Sequence, residues 1–102
     1  MLTSVDADVI RVLGDPLRLK IVTLLARETL CTTHLVEETG AKQTNLSNHM
    51  KVLREAGIVE TEPCGRFTYY RLRPEVMAGL SKQFAELAAS ARTAAENKRA
   101  CP

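Results

Sequence analysis

Residues His34 to Gly57, HLVEETGAKQTNLSNHMKVLREAG, decide the fold of this 102-residue chain. Gly40 separates two helical patterns within the stretch. In the second pattern Leu46, Met50 and Leu53 recur at i, i+4 and i+7, which forms one apolar stripe on a helix. The spacing predicts two short helices hinged at Gly40, a helix-turn-helix.

Amide and hydroxyl side chains crowd the first turns of the second helix. A helix that only packs has no need of such a cluster, whereas these groups hydrogen-bond base edges, and the N-terminal end of a recognition helix enters the major groove. The pattern therefore predicts contact with double-stranded DNA. The candidate contacts are Gln43, Thr44, Asn45, Ser47 and Asn48. For His49, a packed or capping role and a base-reading role both stay open.

Two further helices are predicted before this stretch. The first runs from the chain start to Leu13, with Thr3 or Ser4 as its cap. The second opens with the Asp15-Pro16 pair, an N-cap carboxylate followed by proline at the first helical position, and it runs to about Ala26 or Arg27. Residues 29–31 are expected to be extended.

A β-hairpin with a basic tip is predicted after the recognition helix. The β-prone runs Ile58–Glu62 and Phe67–Leu72 are joined by residues 63–66. A last helix follows over about residues 74–97, and a flexible tail over 98–102. This helix carries more apolar surface than so small a domain needs, so we expect a dimerisation helix, with packing on the first helix as the other use. The fold class is mainly α with a small β-hairpin, a single winged helix-turn-helix domain over residues 1–102, homodimeric through its terminal helices.

The net charge of +2 is unevenly distributed. Residues 41–73 hold six basic and three acidic side chains, a balance of +3, and the rest of the chain is at −1. The positive field thus lies on the half predicted to meet phosphates. We expect phosphate contacts from Lys42, Lys51 and Arg54, and entry of Arg66 into a minor groove.

The chain is expected to be cytoplasmic, with no membrane partner. No stretch approaches the ~20 apolar residues of a membrane span, and no signal peptide precedes the first helix. The three cysteines are odd in number and far apart, which predicts free thiols. A thiol hydrolase would pair a cysteine with a histidine base, but Cys31 and His34 would diverge at a helix start and no oxyanion loop accompanies them, so no enzyme activity is expected.

The order of elements and three motifs resemble the ArsR/SmtB family of bacterial metal- and metalloid-responsive repressors. LGDPLRLKI at residues 13–21 is similar to the family's opening signature, NLSNHMKVL at 45–53 to its recognition helix, and residues 65–72 to its wing. The resemblance implies a homodimer that binds an operator palindrome and leaves it when an inducer binds. DNA binding would need no cofactor. A winged-helix module that binds only protein is the other class, which the basic wing and amide-rich helix disfavour.

The inducer site is less well defined by the resemblance. The last helix contains no histidine, so the family's zinc pattern there is absent, and at residues 30–36 LCTTHLV keeps the first cysteine of a Cys-x-Cys pattern while Thr33 replaces the second. Three thiolates suit trivalent arsenic or antimony, so Cys31, Cys64 and Cys101 are the predicted ligands of arsenite or antimonite. Zinc or cadmium held by cysteine with His34 is a weaker alternative, and a thiol redox or persulfide switch is the other.

Overall fold

The computed structural model describes residues 6–102. The elements are α1 (Ala7–Leu13), α2 (Pro16–Leu25), β1 (Leu30–Cys31), α3 (Thr32–Thr39), α4 (Gln43–Glu55), β2 (Val59–Cys64), β3 (Phe67–Leu72) and α5 (Pro74–Ala94). This order confirms the predicted fold class of helices with a small β-wing. Within the described part of the chain, no helix is long and apolar enough to span a membrane.

Aspartates cap the first two helices. The carboxylate of Asp6 accepts hydrogen bonds from the first turn of α1, and that of Asp15 accepts from the N–H groups of Leu17 and Arg18 at 2.9 and 3.1 Å. The Asp15 cap and the proline after it are as predicted, because the side-chain oxygen satisfies donors that the first helical turn leaves free. The predicted cap at Thr3 or Ser4 lies outside the described residues.

The wing is part of a three-stranded antiparallel sheet in the order β1-β3-β2. The prediction of a four-residue loop at 63–66 is wrong, since Pro63 and Cys64 pair with Thr68 and Phe67 and leave a two-residue turn. Proline is tolerated there because β2 is an edge strand, whose outward N–H positions need no partner. The short β1 pairs with β3 through Leu30 and Tyr70, a contact that ties the wing to the start of α3.

The core lies between α1, α2, α3, α4 and the base of the wing. Its fully buried side chains are Ile21, Leu35, Leu46, Met50, Leu53 and Ile58. The last helix contributes no fully buried residue: Val76, Met77 and Leu80 pack on the core from outside, whereas Phe84 and Leu87 are half exposed. The α-helix ends at Ala94. Beyond it, the N–H groups of residues 96 and 97 donate to the carbonyls three positions earlier and form a tighter final turn. This turn accounts for the predicted end of the helix near residue 97.

Candidate nucleic-acid interface

The turn between α3 and α4 sets the direction of the recognition helix. Gly40 ends α3 in the left-handed region with φ 72°, and its N–H donates to the carbonyl of Val36 at 2.9 Å. Glycine takes this conformation without the Cβ strain that other residues would carry. The side-chain oxygen of Thr39 accepts from the N–H of Ala41 at 3.2 Å, so the chain reverses in a tight, bonded turn before α4 begins.

The core locks one face of α4. Leu46, Met50 and Leu53 are at most 1% exposed, as the apolar stripe predicted. Their burial leaves the opposite face of the helix in solvent. All of the α4 side chains predicted to contact DNA are exposed, together with Lys42 before the helix: Gln43, Thr44, Asn45, Ser47, Asn48, Lys51 and Arg54. The structure therefore exposes all of these candidates to solvent.

The tip of the wing presents one more candidate cation. Gly65 opens the two-residue turn with φ 63°, the positive φ that such hairpin turns require, and Arg66 follows it in an exposed position. Among the described residues Arg66 takes part in no ion pair within 4.0 Å, whereas Lys51 lies 3.9 Å from Glu55. Arg66 is thus an uncompensated charge at the far end of the hairpin.

The charges at the base of the wing are compensated. The Arg71 guanidinium lies 2.9 Å from a carboxylate oxygen of Glu60 and 3.8 Å from one of Glu62, across the β2–β3 ladder. The three side chains share one face of the sheet, because Arg71 lies opposite Glu60 and because Glu62, two positions along β2, points to the same side as Glu60. The positive field of the wing is accordingly concentrated at its tip.

His49 lies on the inward side of α4, which agrees with a packed role for this histidine and not with a base-reading one. It is half-buried, and its Nδ1 lies 3.1 Å from a terminal nitrogen of Arg18 on α2. The same Arg18 donates from Nε to the carbonyl of Val12, at the end of α1, at 2.6 Å. Sequence reasoning gave Arg18 no role of its own, since no local pattern connects it to a histidine 31 positions away.

Asp15 belongs to the same junction. The N–H of Arg18 lowers the pKa of the Asp15 carboxyl below its ordinary value, and the charge of His49 and the N–H of Leu17 act in the same direction, partly offset by burial. The carboxylate thus stays ionised beside two basic side chains.

The three cysteines do not converge within one chain. Cys31 is buried at the start of α3, whereas Cys64 and Cys101 are exposed. Cys31 pairs with Tyr69 and Cys64 with Phe67, on opposite sides of β3, which places their Cα atoms about 12 Å apart by ordinary strand spacing. Over residues 6–102 no group of three histidine, cysteine or acidic side chains is placed to hold a metal ion.

His34 helps to cap the start of α3 next to Cys31. Its Nδ1 accepts the N–H of Cys31 at 3.2 Å, and its ring meets that of Tyr69 edge-on at 6.0 Å between centroids. This bond occupies one ring nitrogen in capping α3. The weaker option of a zinc or cadmium site would therefore have only Nε2 of this residue to use.

Known proteins resemble this chain in both fold and sequence. A solved structure described as a possible transcriptional regulator for arsenical resistance superposes with a TM-score of 0.72 at 31% identity, covering 92% of this chain and all of that one. An uncharacterised HTH-type transcriptional regulator of Methanocaldococcus jannaschii is 30% identical over 82 residues, 79% of this chain and 92% of that protein. The model of the bacterial regulatory proteins of the arsR family matches residues 15–61. The chain belongs to the ArsR family.

Other relatives of this ArsR-family chain are longer. The arsenic resistance transcriptional regulator ArsR1 of Pseudomonas putida is 41% identical over 69 residues, which are 67% of this chain and 54% of that protein. The match thus spans about half the length of that relative. These relatives are transcriptional regulators and not enzymes, in agreement with the expectation drawn from Cys31 and His34.

Proposed function

We propose that this protein is a homodimeric transcriptional repressor that binds operator DNA through α4 and the wing tip. The observation that carries the proposal is the division of α4 into two faces. Its apolar stripe of Leu46, Met50 and Leu53 is buried, while every polar candidate contact on it is exposed, and Arg66 adds an uncompensated charge at the wing tip. Amides and hydroxyls aimed outward from one rigid helix suit base edges, and the surrounding cations suit phosphates.

The homodimer is proposed from the exposed apolar side chains of α5. Phe84 and Leu87 are 50% and 48% exposed in the single chain, about one and two helical turns beyond the last side chain that packs on the core, Leu80. A second copy laid against this helix would bury them. Pairing also gives two recognition helices, which a palindromic operator needs at a separation of one helical turn of DNA, about 34 Å.

Selection of binding sites from random duplex DNA tests the proposal. We expect the protein to enrich a palindrome and to bind it more tightly than scrambled DNA. Asn48→Ala should reduce this preference, whereas Asn97→Ala, which removes the same side chain from an exposed position beyond α5, should not. A wild-type protein that enriches no sequence, or an Asn48→Ala variant with unchanged preference, would contradict the proposal.

We further propose that a thiophilic inducer, most simply arsenite or antimonite, releases the repressor from DNA. Support comes from Cys31 at the start of α3 and from relatives described as arsenic resistance regulators. The three thiols of one protomer do not fit a single ion as they stand. Because Cys31 and Cys64 lie on opposite sides of β3, a site of three thiolates requires cysteines from both protomers.

Serine variants separate the thiol-based alternatives, because serine removes a soft ligand with little change of shape. If three thiolates bind the metalloid, Cys31→Ser, Cys64→Ser and Cys101→Ser should each still bind DNA but resist arsenite in a gel-shift titration. Release by arsenite that only Cys31→Ser abolishes would indicate a site centred on Cys31. Release by peroxide or persulfide, with no response to arsenite, would favour a thiol redox switch instead.

A further inference from the structure

We propose that Arg18 is a positioning residue for the recognition helix, acting through a hydrogen bond to a neutral His49. The inference rests on the proposed function in that the helix so positioned is the one that would read DNA. The bond itself is a property of the fold.

The guanidinium of Arg18 joins three helices at one point. It projects from α2, donates from Nε to the last turn of α1 at Val12, and reaches Nδ1 of His49 on α4 with a terminal nitrogen. The planar guanidinium holds its donors in a fixed fork, so two such bonds define the direction of both partners. A lysine, with a single nitrogen at the end of a flexible stem, could not make them in the same geometry.

The donors and acceptors at this contact determine the protonation state of His49. A guanidinium only donates hydrogen bonds, so Nδ1 must offer its lone pair, and the ring proton must lie on Nε2. Protonation of the ring would remove this acceptor and place a second positive charge 3.1 Å from Arg18. The bond therefore exists only while His49 is neutral.

The surrounding charges do not supply a substitute partner. Asp15 is the acid beside the pair: its negative charge favours a protonated ring, but its carboxylate accepts the N–H groups of α2 and is not hydrogen-bonded to His49. From the other elements near α4, Asp8 of α1 pairs with Arg11, and Glu60 and Glu62 of β2 with Arg71. The acids of α3, Glu37 and Glu38, are exposed.

The position of His49 on α4 connects the bond to DNA reading. It directly follows Asn48, which is exposed on the DNA-facing side, and directly precedes Met50, which is 1% exposed in the core. The apolar stripe fixes the buried face of α4, but its non-directional contacts oppose a small rotation or slide of the helix less sharply than a hydrogen bond does. A directional polar bond next to the reading residues restricts that motion, so loss of the bond should affect the specific complex more than binding to arbitrary DNA.

Two variants of His49 test the role. His49→Asn keeps an acceptor oxygen where Nδ1 lies but takes no proton, whereas His49→Leu removes the acceptor. We expect His49→Leu to lose about tenfold in affinity for the selected palindrome, the usual effect of one charged hydrogen bond, with little change on scrambled DNA. His49→Asn should retain most of the affinity.

The pH profile gives a readout that simple packing would not change. On acidification, wild-type affinity for the palindrome should fall relative to that of His49→Asn, because only the wild-type ring can take up a proton. If His49 acted merely as a charge near phosphates, its protonation would strengthen binding. Arg18→Gln should match His49→Leu, and Lys20→Gln, which removes one charge from an exposed position on the same helix, should not.

Nitrogen NMR of the two histidines tests the bond without DNA. At pH 8 the Nδ1 of His49 should be unprotonated, and Arg18→Gln should shift its resonance while leaving that of His34 in place. A proton on Nδ1 of His49, or equal affinities of wild type and His49→Leu for the palindrome, would overturn the inference. A wild-type protein that binds no DNA would refute the proposed function, and the NMR result would still decide whether the bond exists.

Discussion

Replacement of Arg66 by alanine isolates the electrostatic contribution of the wing tip. Arg66 follows the glycine of a two-residue turn, is exposed and has no ion-pair partner within the described residues. If it reaches a phosphate or the minor groove between phosphates, each copy displaces condensed counterions when the protein binds. The salt dependence of binding counts those counterions.

The size of the effect follows from the number of copies. Each neutralised phosphate contributes about 0.9 to the slope of log affinity against log salt concentration, so two copies of Arg66 in a dimer contribute about 1.8. Between 50 and 200 mM salt the wild type should therefore lose about twelvefold more affinity than Arg66→Ala. The loss should be similar on the palindrome and on scrambled DNA, because phosphate contacts carry little sequence information.

Arg71→Ala is the matched control on the same hairpin. It also removes one guanidinium, but the charge of Arg71 is compensated by Glu60 and Glu62 in the folded protein. We expect little change of slope from this variant. Fluorescence anisotropy at four or more salt concentrations measures both slopes. Equal slopes for wild type and Arg66→Ala would show that the wing tip stays away from the DNA backbone.

Three further predictions concern reading, assembly and acid stability. Asn48→Ala should weaken operator binding by about 1–3 kcal/mol if the amide meets a base edge, and a change that is equal on scrambled DNA would argue against base reading. Leu87→Glu should give a monomer with little operator affinity in sedimentation experiments, whereas a wild type that is monomeric at micromolar concentration would defeat the dimer proposal. The contacts that lower the pKa of Asp15 stabilise the fold above the ordinary carboxyl range, and this stabilisation is lost as pH falls through the lowered pKa. The stability deficit of Asp15→Asn in urea should therefore be clear at pH 7 and narrow below about pH 4. A constant deficit would contradict this reasoning.

Local patterns in the sequence were enough to predict most of the helical fold. The stripe of Leu46, Met50 and Leu53 identified the buried face of α4, because a helix that must bury one side repeats apolar residues every three or four positions. Asp15 before proline identified the start of α2, and Gly40 the hinge before α4, since both depend on the backbone chemistry of single residues. The exposed polar face of α4 followed from the same periodicity.

Tertiary structure decided what depends on residues far apart in the chain. The turn of the wing shortened to two residues because Pro63 and Cys64 find partners on β3 at an edge where proline is tolerated. The contact between Arg18 and His49, and the separation of Cys31 from Cys64 across the sheet, likewise arise only from packing. Hydrophobic periodicity reports which side of an element is buried, but it does not report which side of which other element lies opposite, and polar contacts and thiol spacing depend on that pairing.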